Sequence, residues 1–243
     1  MMILAMTGVT KSIGSNHVLQ DVALHVAAGE IVALLGLNGA GKTSLLKCVA
    51  DLIPLDDGRI EIVGVDHRIA GARNHLAYLP ERFTPFRHLR GAEFLRYMLG
   101  LDGRRCDATA VAATLDELHL SKTVLRAGLN TLSKGTGQRL GLAAALLAGK
   151  RLYLLDEPTS GLDIVARRQL RLLLPRLRAR GCGVLLATHA LADASELCDR
   201  LCVIHRGRLC FSGTIEALLQ ASASPALEVA FLEAVRRADS IPH

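Results

Sequence analysis

The chain of 243 residues contains no tryptophan, and aromatic residues make up only 3% of it. Proteins that bind single-stranded nucleic acid usually stack the bases on aromatic side chains that alternate with basic ones. The net charge of +6 would suit nucleic acid or the anionic face of a membrane equally well. The shortage of aromatics disfavours the first of these, and we expect no nucleic-acid partner.

Long apolar runs are also absent. The longest, "IVALLGL" from Ile31 and "LAAALLAG" from Leu142, fall well short of the roughly 18 residues that suggest a membrane-spanning helix. The apolar start "MMILAM" lacks the cationic segment that precedes a secretory signal. The cysteines form no CxxC pair, so we expect reduced, mostly buried thiols and no zinc site. These features predict a cytoplasmic chain with one main domain.

What the sequence does contain is an alternation of predicted strands and helices. The continuous apolar run "EIVALLG" from Glu30 is typical of a strand buried on both faces, which predicts a parallel sheet. A glycine-rich loop follows it, and helical spacing begins at Lys42 and extends up to Pro54. The sequence therefore predicts an α/β fold.

The loop from Gly36 to Thr43, "GLNGAGKT", matches the pattern GxxxxGK[ST]. In this pattern, backbone N–H groups and the start of a helix surround phosphate oxygens, the lysine supplies a mobile cation and the Thr43 hydroxyl binds Mg²⁺. An ordinary glycine-rich turn is the alternative, but the flanking strand and helix favour a nucleoside triphosphate. The candidate nucleotide-binding residues are Gly36, Leu37, Asn38, Gly39, Ala40, Gly41, Lys42, Thr43 and Ser44.

Two acidic residues end a second apolar strand, in "RLYLLDEPTSGLD". Ligands of parallel α/β sheets bind at the carboxyl ends of the strands. There Asp156 suits the anchoring of Mg²⁺, and Glu157 can orient or deprotonate a water molecule for attack on the γ-phosphate. Taken alone, the pair would more often be a solvated strand end. The intervening segment predicts helices from Gly91 to Leu101 and from Asp107 to Leu120, and a third after the glycines of "NTLSKGTGQRLGL".

Five motifs then stand in one order along nearly the whole chain: "GLNGAGKT" at 36–43, "LSKGT" at 132–136, "LYLLDEP" at 152–158, "SGLD" at 160–163 and "TH" at 188–189. In this the chain resembles the ATPase subunits of ABC transporters. The resemblance implies a P-loop NTPase fold with a parallel core sheet, a small antiparallel β subdomain and a helical subdomain inserted at about residues 83–150. It implies an ATP-binding domain over residues 1–215 and a short helical tail over residues 216–243.

The resemblance also implies how the site works. Two subunits dimerise head to tail, and ATP in the phosphate loop of one is capped by the signature segment of the other, here Ser133, Lys134, Gly135 and Thr136. Asp163 falls in the loop that contacts the partner, and His189 corresponds to a histidine that hydrogen-bonds the γ-phosphate. Lys42, Glu157 and His189 are thus the predicted catalytic residues.

Several positions depart from the family pattern. Glu81 stands where most members carry a glutamine that reaches Mg²⁺ or water, and its surroundings, "YLPE", are similar to the ABC-2 exporter type, including the ATPase subunit of copper-processing transporters associated with nitrous-oxide reductase. Lys134 and Thr136 replace a glycine and a glutamine, and Gly137 is unusual beside them. Ile13 occupies the place of the aromatic residue that stacks on adenine, which implies weaker selectivity for the base.

The function implied is an ATP-hydrolysing subunit, peripheral on the cytoplasmic face of the inner or plasma membrane. Its partners would be a second copy or a homologous ATPase subunit, and an integral membrane permease that contacts the region from Glu81 to Tyr97. Aromatic residues cluster there, with Phe83 and Phe86 favoured for the interface, whereas Phe94 and Tyr97 fit a core equally well. Alternatives are a soluble ABC ATPase in nucleic-acid, ribosome or cofactor-assembly work, and a weakly hydrolysing regulatory subunit.

Two further segments have simpler interpretations. The arginine-rich stretch "IVARRQLRLLLPRLRARG" predicts a solvated amphipathic helix that bends at Pro175. The tail after Gly213 predicts two short helices, divided by residues 222–225, that pack locally or fray.

Overall fold

The computed structural model describes residues 1–81, 86, 88–222 and 224–239. Its strands are β1 (Met2–Ile13), β2 (Asn16–Ala27), β3 (Ile31–Leu35), β4 (Asp57–Ile62), β5 (Val65–Asp66), β6 (Leu76–Leu79), β7 (Leu152–Asp156), β8 (Gly183–Thr188), β9 (Arg200–His205) and β10 (Arg208–Gly213). Its α-helices are α1 (Lys42–Val49), α2 (Ala70–Arg73), α3 (Gly91–Leu101), α4 (Ala108–Glu117), α5 (Lys134–Leu147), α6 (Ile164–Ala179), α7 (Leu191–Leu197), α8 (Ile215–Ser222) and α9 (Leu227–Asp239).

The central sheet has six strands in the order β10-β9-β3-β8-β7-β6. All neighbours in it are parallel except the edge strand β10, which is antiparallel to β9. Every residue of β3, β7 and β8 is buried, because elements cover both faces of the sheet. This burial explains the continuous apolar runs, and the predicted parallel core sheet is confirmed.

A second sheet, antiparallel in the order β2-β1-β4-β5, covers one face of the central sheet. Its inward side chains form one apolar cluster with α1 and with inward residues of β3 and β8, such as Val32 and Leu185. The apolar core between the two sheets packs against α1 and the phosphate loop that precedes it. This is the predicted small antiparallel β subdomain.

The helices between the phosphate-loop segment and the Asp156 segment of the sequence lie on the other face of the central sheet. Residues of α3, α4, α5 and α6 share an apolar cluster with β6, β7 and β8. Phe94 is only 2% exposed within this cluster, whereas Tyr97 is 45% exposed. Of the two aromatics that fitted a core or a surface equally well, Phe94 is core and Tyr97 is surface.

A third cluster contains the carboxyl-terminal helices. Leu218 of α8 and Ala230, Phe231 and Val235 of α9 are buried against residues of β3 and β9. Their packing accounts for the two short helical patterns of the tail. The tail is therefore packed against strands β3 and β9 of the central sheet over its described residues.

Some boundaries differ from the predicted ones. Helix α1 ends at Val49 rather than near Pro54, and Asp51 adopts a left-handed φ of 55° that helical backbone excludes. Helix α5 begins at Lys134, before the glycines and not after them, because the Ser133 side chain caps its first turn. The predicted amphipathic helix is α6, which contains Pro175 and buries four of its five leucines, with Leu172 exposed.

The burial of the cysteines agrees with the expectation only in part. All six cysteines are free, but only Cys48, Cys182 and Cys202 are buried, so the expectation of mostly buried thiols is wrong for the other half.

Across the described residues, no single helix is long and apolar enough to cross a membrane. Helices α8 and α9 reach that length and composition only together, across a bend of 70°.

Candidate functional site

The phosphate loop joins β3 to α1 at the carboxyl edge of the central sheet. Gly39 and Gly41 have φ values of 81° and 108°, and a Cβ at Gly41 would lie 2.7 Å from the Val18 carbonyl oxygen. Only glycine fits there. No side chain caps the start of α1, so its first N–H groups and the positive end of its dipole are available to an anion.

Lys42 begins α1 with its side chain buried over this loop. Its Nζ donates to the carbonyl oxygens of Gly36 (2.8 Å) and Leu37 (3.3 Å) and lies 3.6 Å from Oε1 of Glu157. The ammonium therefore stands between the loop and the acidic end of β7. A buried cation with one carboxylate neighbour is well placed to bind phosphate oxygens.

Asp156 ends β7, and its carboxylate is buried. The Thr43 hydroxyl donates to its Oδ1 at 3.2 Å and the Tyr78 hydroxyl to its Oδ2 at 3.4 Å. Burial raises the pKa of Asp156 above its ordinary value, the charges of Glu157 and Glu81 raise it further, and the Thr43 hydrogen bond and Lys42 oppose them. A cation bound beside Asp156, in addition to the Lys42 ammonium, would offset this excess of negative charge.

The donor set around Asp156 fits Mg²⁺. It consists of carboxylate and hydroxyl oxygens, which Mg²⁺ prefers, and Mg²⁺ commonly takes only one or two protein ligands and completes its shell with waters and substrate phosphates. The described part of the chain contains no group of three or more His, Cys, Asp or Glu side chains able to hold a metal by themselves.

Glu157 follows Asp156 with a φ of 46°, a left-handed conformation uncommon for a residue with a side chain. Its N–H donates to the Ala187 carbonyl oxygen at 2.9 Å, which fixes the turn against β8. His189 Nδ1 lies 2.8 Å from Glu157 Oε1, and the Thr188 hydroxyl donates to Oε2 at 3.4 Å. One buried carboxylate is thus held by a histidine, a hydroxyl and, at longer range, the lysine ammonium.

The signature segment and the loop that contains Asp163 lie side by side. The Ser133 hydroxyl accepts from the Thr136 N–H at 3.2 Å, and Lys134 Nζ donates to the Ser160 hydroxyl at 3.1 Å. Asp163 caps α6 by accepting from the Ala166 N–H at 2.7 Å. A Cβ at Gly135 would be 3.4 Å from the Gly161 carbonyl oxygen. The side-chain hydrogen bonds of the signature, among the described residues, stay within this region.

Other predicted positions are less closely tied to the site. Ile13 is 54% exposed at the end of β1, opposite Asn16. The negative charge of Glu81 acts on the site at a distance and raises the pKa of Asp156. The rings of Phe86 and Tyr97 pack edge to face with centroids 5.3 Å apart. Phe83 lies outside the described residues.

Two contacts and one buried amide could not be predicted from the sequence. The sequence suggested no role for Tyr78 at the site, but β6 lies parallel to β7 and brings its hydroxyl to Asp156. The Thr159 hydroxyl donates to buried Asp193 at 2.7 Å and ties the turn after Glu157 to α7. Gln138 is buried in α5, and neither of its amide atoms has a hydrogen-bond partner within the described structure.

Comparison with known proteins establishes the family of this chain. The family model described as ABC transporter matches residues 19–160. The chain belongs to the ABC transporter family. Within it, the chain is an ATP-binding subunit, as its relatives and a solved structure agree.

Relatives of this ABC subunit match it over most of its length. The probable multidrug ABC transporter ATP-binding protein YbhF of Escherichia coli is 33% identical over 93% of this chain and 40% of its own length. The Nod factor export ATP-binding protein I of Sinorhizobium fredii is 38% identical over 88% of this chain and 63% of its own. The chain thus spans well under two thirds of YbhF.

A solved structure described as the ATP-binding subunit of an ABC transporter has 31% identity and a TM-score of 0.88, and the match covers 96% of this chain and 99% of that one. The predicted fold class and family are therefore both confirmed.

Proposed function

We propose that this ABC subunit hydrolyses ATP as one half of an ATP-dependent dimer and thereby drives a separate integral membrane permease, in the direction of export. The observation that carries the proposal is the position of Glu157. Its carboxylate is buried 2.8 Å from His189 and 3.6 Å from the phosphate-loop lysine, directly after the carboxylate that accepts from Thr43.

The site residues have separate roles in this proposal. Lys42 and the N–H groups of the loop bind the phosphates, with Leu37, Asn38, Ala40 and Ser44 as its flanking members. Glu157 orients the attacking water and accepts its proton, and His189 holds the Glu157 carboxylate in place while its exposed ring edge faces the γ-phosphate.

Mg²⁺ would be held by Thr43, Asp156 and, through oxygen, Glu81. When bound, it would neutralise charge on the phosphate oxygens. Ile13 would lie against the adenine as an aliphatic surface, which supports weaker discrimination between ATP and GTP.

The dimer is supported by the signature. Ser133, Gly135 and the start of α5 form a second helix amino terminus of the type that binds phosphate, alongside Asp163 at the start of α6. A second phosphate site without a lysine loop of its own is useful only if it caps the ATP of another subunit. A second copy of the chain, or a homologous subunit, would bind that ATP in its own phosphate loop.

The permease and the location are proposed from the surface and the relatives. Phe86 and Tyr97 form an exposed aromatic pair in the region from Glu81 to Tyr97, and exposed aromatics are enriched at protein interfaces. The name of the Nod factor relative includes export, which favours that direction. The subunit would sit on the cytoplasmic face of the membrane, with residues 1–215 as the ATP-binding domain and residues 216–243 as its tail.

The test is steady-state ATP hydrolysis by the purified chain and by Glu157→Gln, which keeps the shape of the side chain but not its basicity. We expect a loss of about a hundredfold or more in kcat, the usual contribution of a general base. Equal inactivity of the two proteins, with ATP still bound, would favour the regulatory alternative and contradict the proposal.

A further inference from the structure

Lys134, at the first position of α5, is an exposed cation with a neutral partner. Its Nζ donates to the Ser160 hydroxyl at 3.1 Å, and no carboxylate of the described residues lies within ion-pair distance of it. Lys150, by contrast, pairs with Asp102 at 2.5 Å. An ammonium has three donors and forms its strongest hydrogen bonds with anions. Lys134 therefore has unused capacity for an anionic partner.

The lysine stem has a defined path. A Cβ built at Gly161 would lie 3.0 Å from Lys134 Cδ and 3.3 Å from Cε, so the stem crosses the space that a side chain at 161 would fill. Gly161 has a φ of 73°, which also favours glycine. The ammonium is thus directed over the loop 160–163.

This loop is continuous with the candidate general base. The Ser160 N–H donates to the Glu157 carbonyl oxygen at 3.0 Å, and the Leu162 N–H donates to that of Thr159 at 3.1 Å. Lys134 therefore connects the signature of one subunit to the turn that begins at the Glu157 of the same subunit.

We propose that Lys134 exchanges partners: it holds Ser160 when the subunit is alone, and in the dimer its ammonium binds the γ-phosphate of the ATP seated in the partner's phosphate loop. The inference rests on the proposed dimer. An anionic phosphate is a stronger acceptor than a serine hydroxyl, and the amino terminus of α5 favours negative charge at the same place. Release of Ser160 then removes one of the contacts that hold the turn after Glu157 when a second subunit captures ATP.

The exchange is tested by the ATP concentration that gives half-maximal dimer formation, measured by light scattering in a Glu157→Gln background. Lys134→Met keeps the stem over Gly161 and removes the charge, so this concentration should rise about tenfold. Ser160→Ala removes only the resting partner and should lower it about twofold. The two changes are expected to have opposite signs.

Two control variants are measured in the same way. Lys134→Arg should restore most of the ATP affinity, and Lys122→Met, an exposed lysine of the helical region, should leave it unchanged. A purely structural contact would make Lys134→Met and Ser160→Ala shift dimerisation in the same direction, and that outcome, or no effect of Lys134→Met, overturns the exchange alone. A Glu157→Gln parent that stays monomeric in saturating ATP contradicts the dimer itself, and the exchange with it.

Discussion

At the scale of single residues, the site depends on Glu157 adopting an unusual backbone conformation. Its φ of 46° turns the carboxylate away from the strand direction and toward Lys42 and His189. Buried charge is costly unless it is paired, and here it has partners on both sides. The strain and the burial are offset by these contacts.

The histidine provides a direct test at this scale. Because His189 holds the Glu157 carboxylate, His189→Ala should lower kcat about a hundredfold with a smaller effect on KM. Steady-state kinetics measure both. His25→Ala, which changes an exposed histidine of β2, is the matched control and should leave both constants within about twofold. A His189→Ala enzyme with the kcat of the wild type would remove His189 from the proposed mechanism.

At the scale of secondary-structure elements, the carboxyl-terminal helices belong to the core. The tail was expected to pack locally or fray, but Phe231 and Val235 of α9 are both 6% exposed, and they join a cluster with β3 and β9. An amphipathic helix gains most of its stability from such packing and little from its own propensity. The described part of the tail should therefore unfold together with the central sheet.

Neighbouring residues of α9 make this measurable. Phe231→Ala should lower the free energy of unfolding by about 3 kcal/mol, because it leaves a cavity in the third cluster. Leu232 is 46% exposed, and Leu232→Ala should change the free energy by less than about 0.5 kcal/mol. Urea denaturation followed by circular dichroism gives both values. Equal effects of the two changes would show that the tail frays in solution.

The sequence predicted some elements and missed others for physical reasons. The phosphate loop and the Asp156–Glu157 pair are contiguous segments whose glycines, lysine and acids identify them locally. The start of α5 was misplaced because the glycines of the signature were treated as a loop, although the Ser133 cap outweighs them. The contacts of Tyr78 and Lys134 depend on which strands and loops become neighbours in space, and no local pattern encodes that.

At the scale of the whole molecule, the proposed permease contacts the exposed aromatic pair of Phe86 and Tyr97 near α3. The double change Phe86→Ala and Tyr97→Ala removes the exposed edge-to-face pair and should abolish binding to membrane vesicles that carry the permease. ATP hydrolysis by the isolated subunit should stay within about twofold, because neither ring contacts the site. Leu101→Ala, at the exposed end of the same helix, is the control. Retained vesicle binding by the double variant would place the permease elsewhere.

The central claim is that one ATP site is built from two subunits, and mixing two inactive variants tests it most directly. Lys42→Ala removes the phosphate-binding cation, and Gly135→Asp puts a negative charge where the signature should meet the γ-phosphate. Each should be inactive alone, yet a mixed dimer joins the intact loop of one to the intact signature of the other. An equal mixture should recover about a quarter of the wild-type rate, because half of the dimers are mixed and each has one intact site. A mixture no faster than the average of the two variants would contradict the shared site.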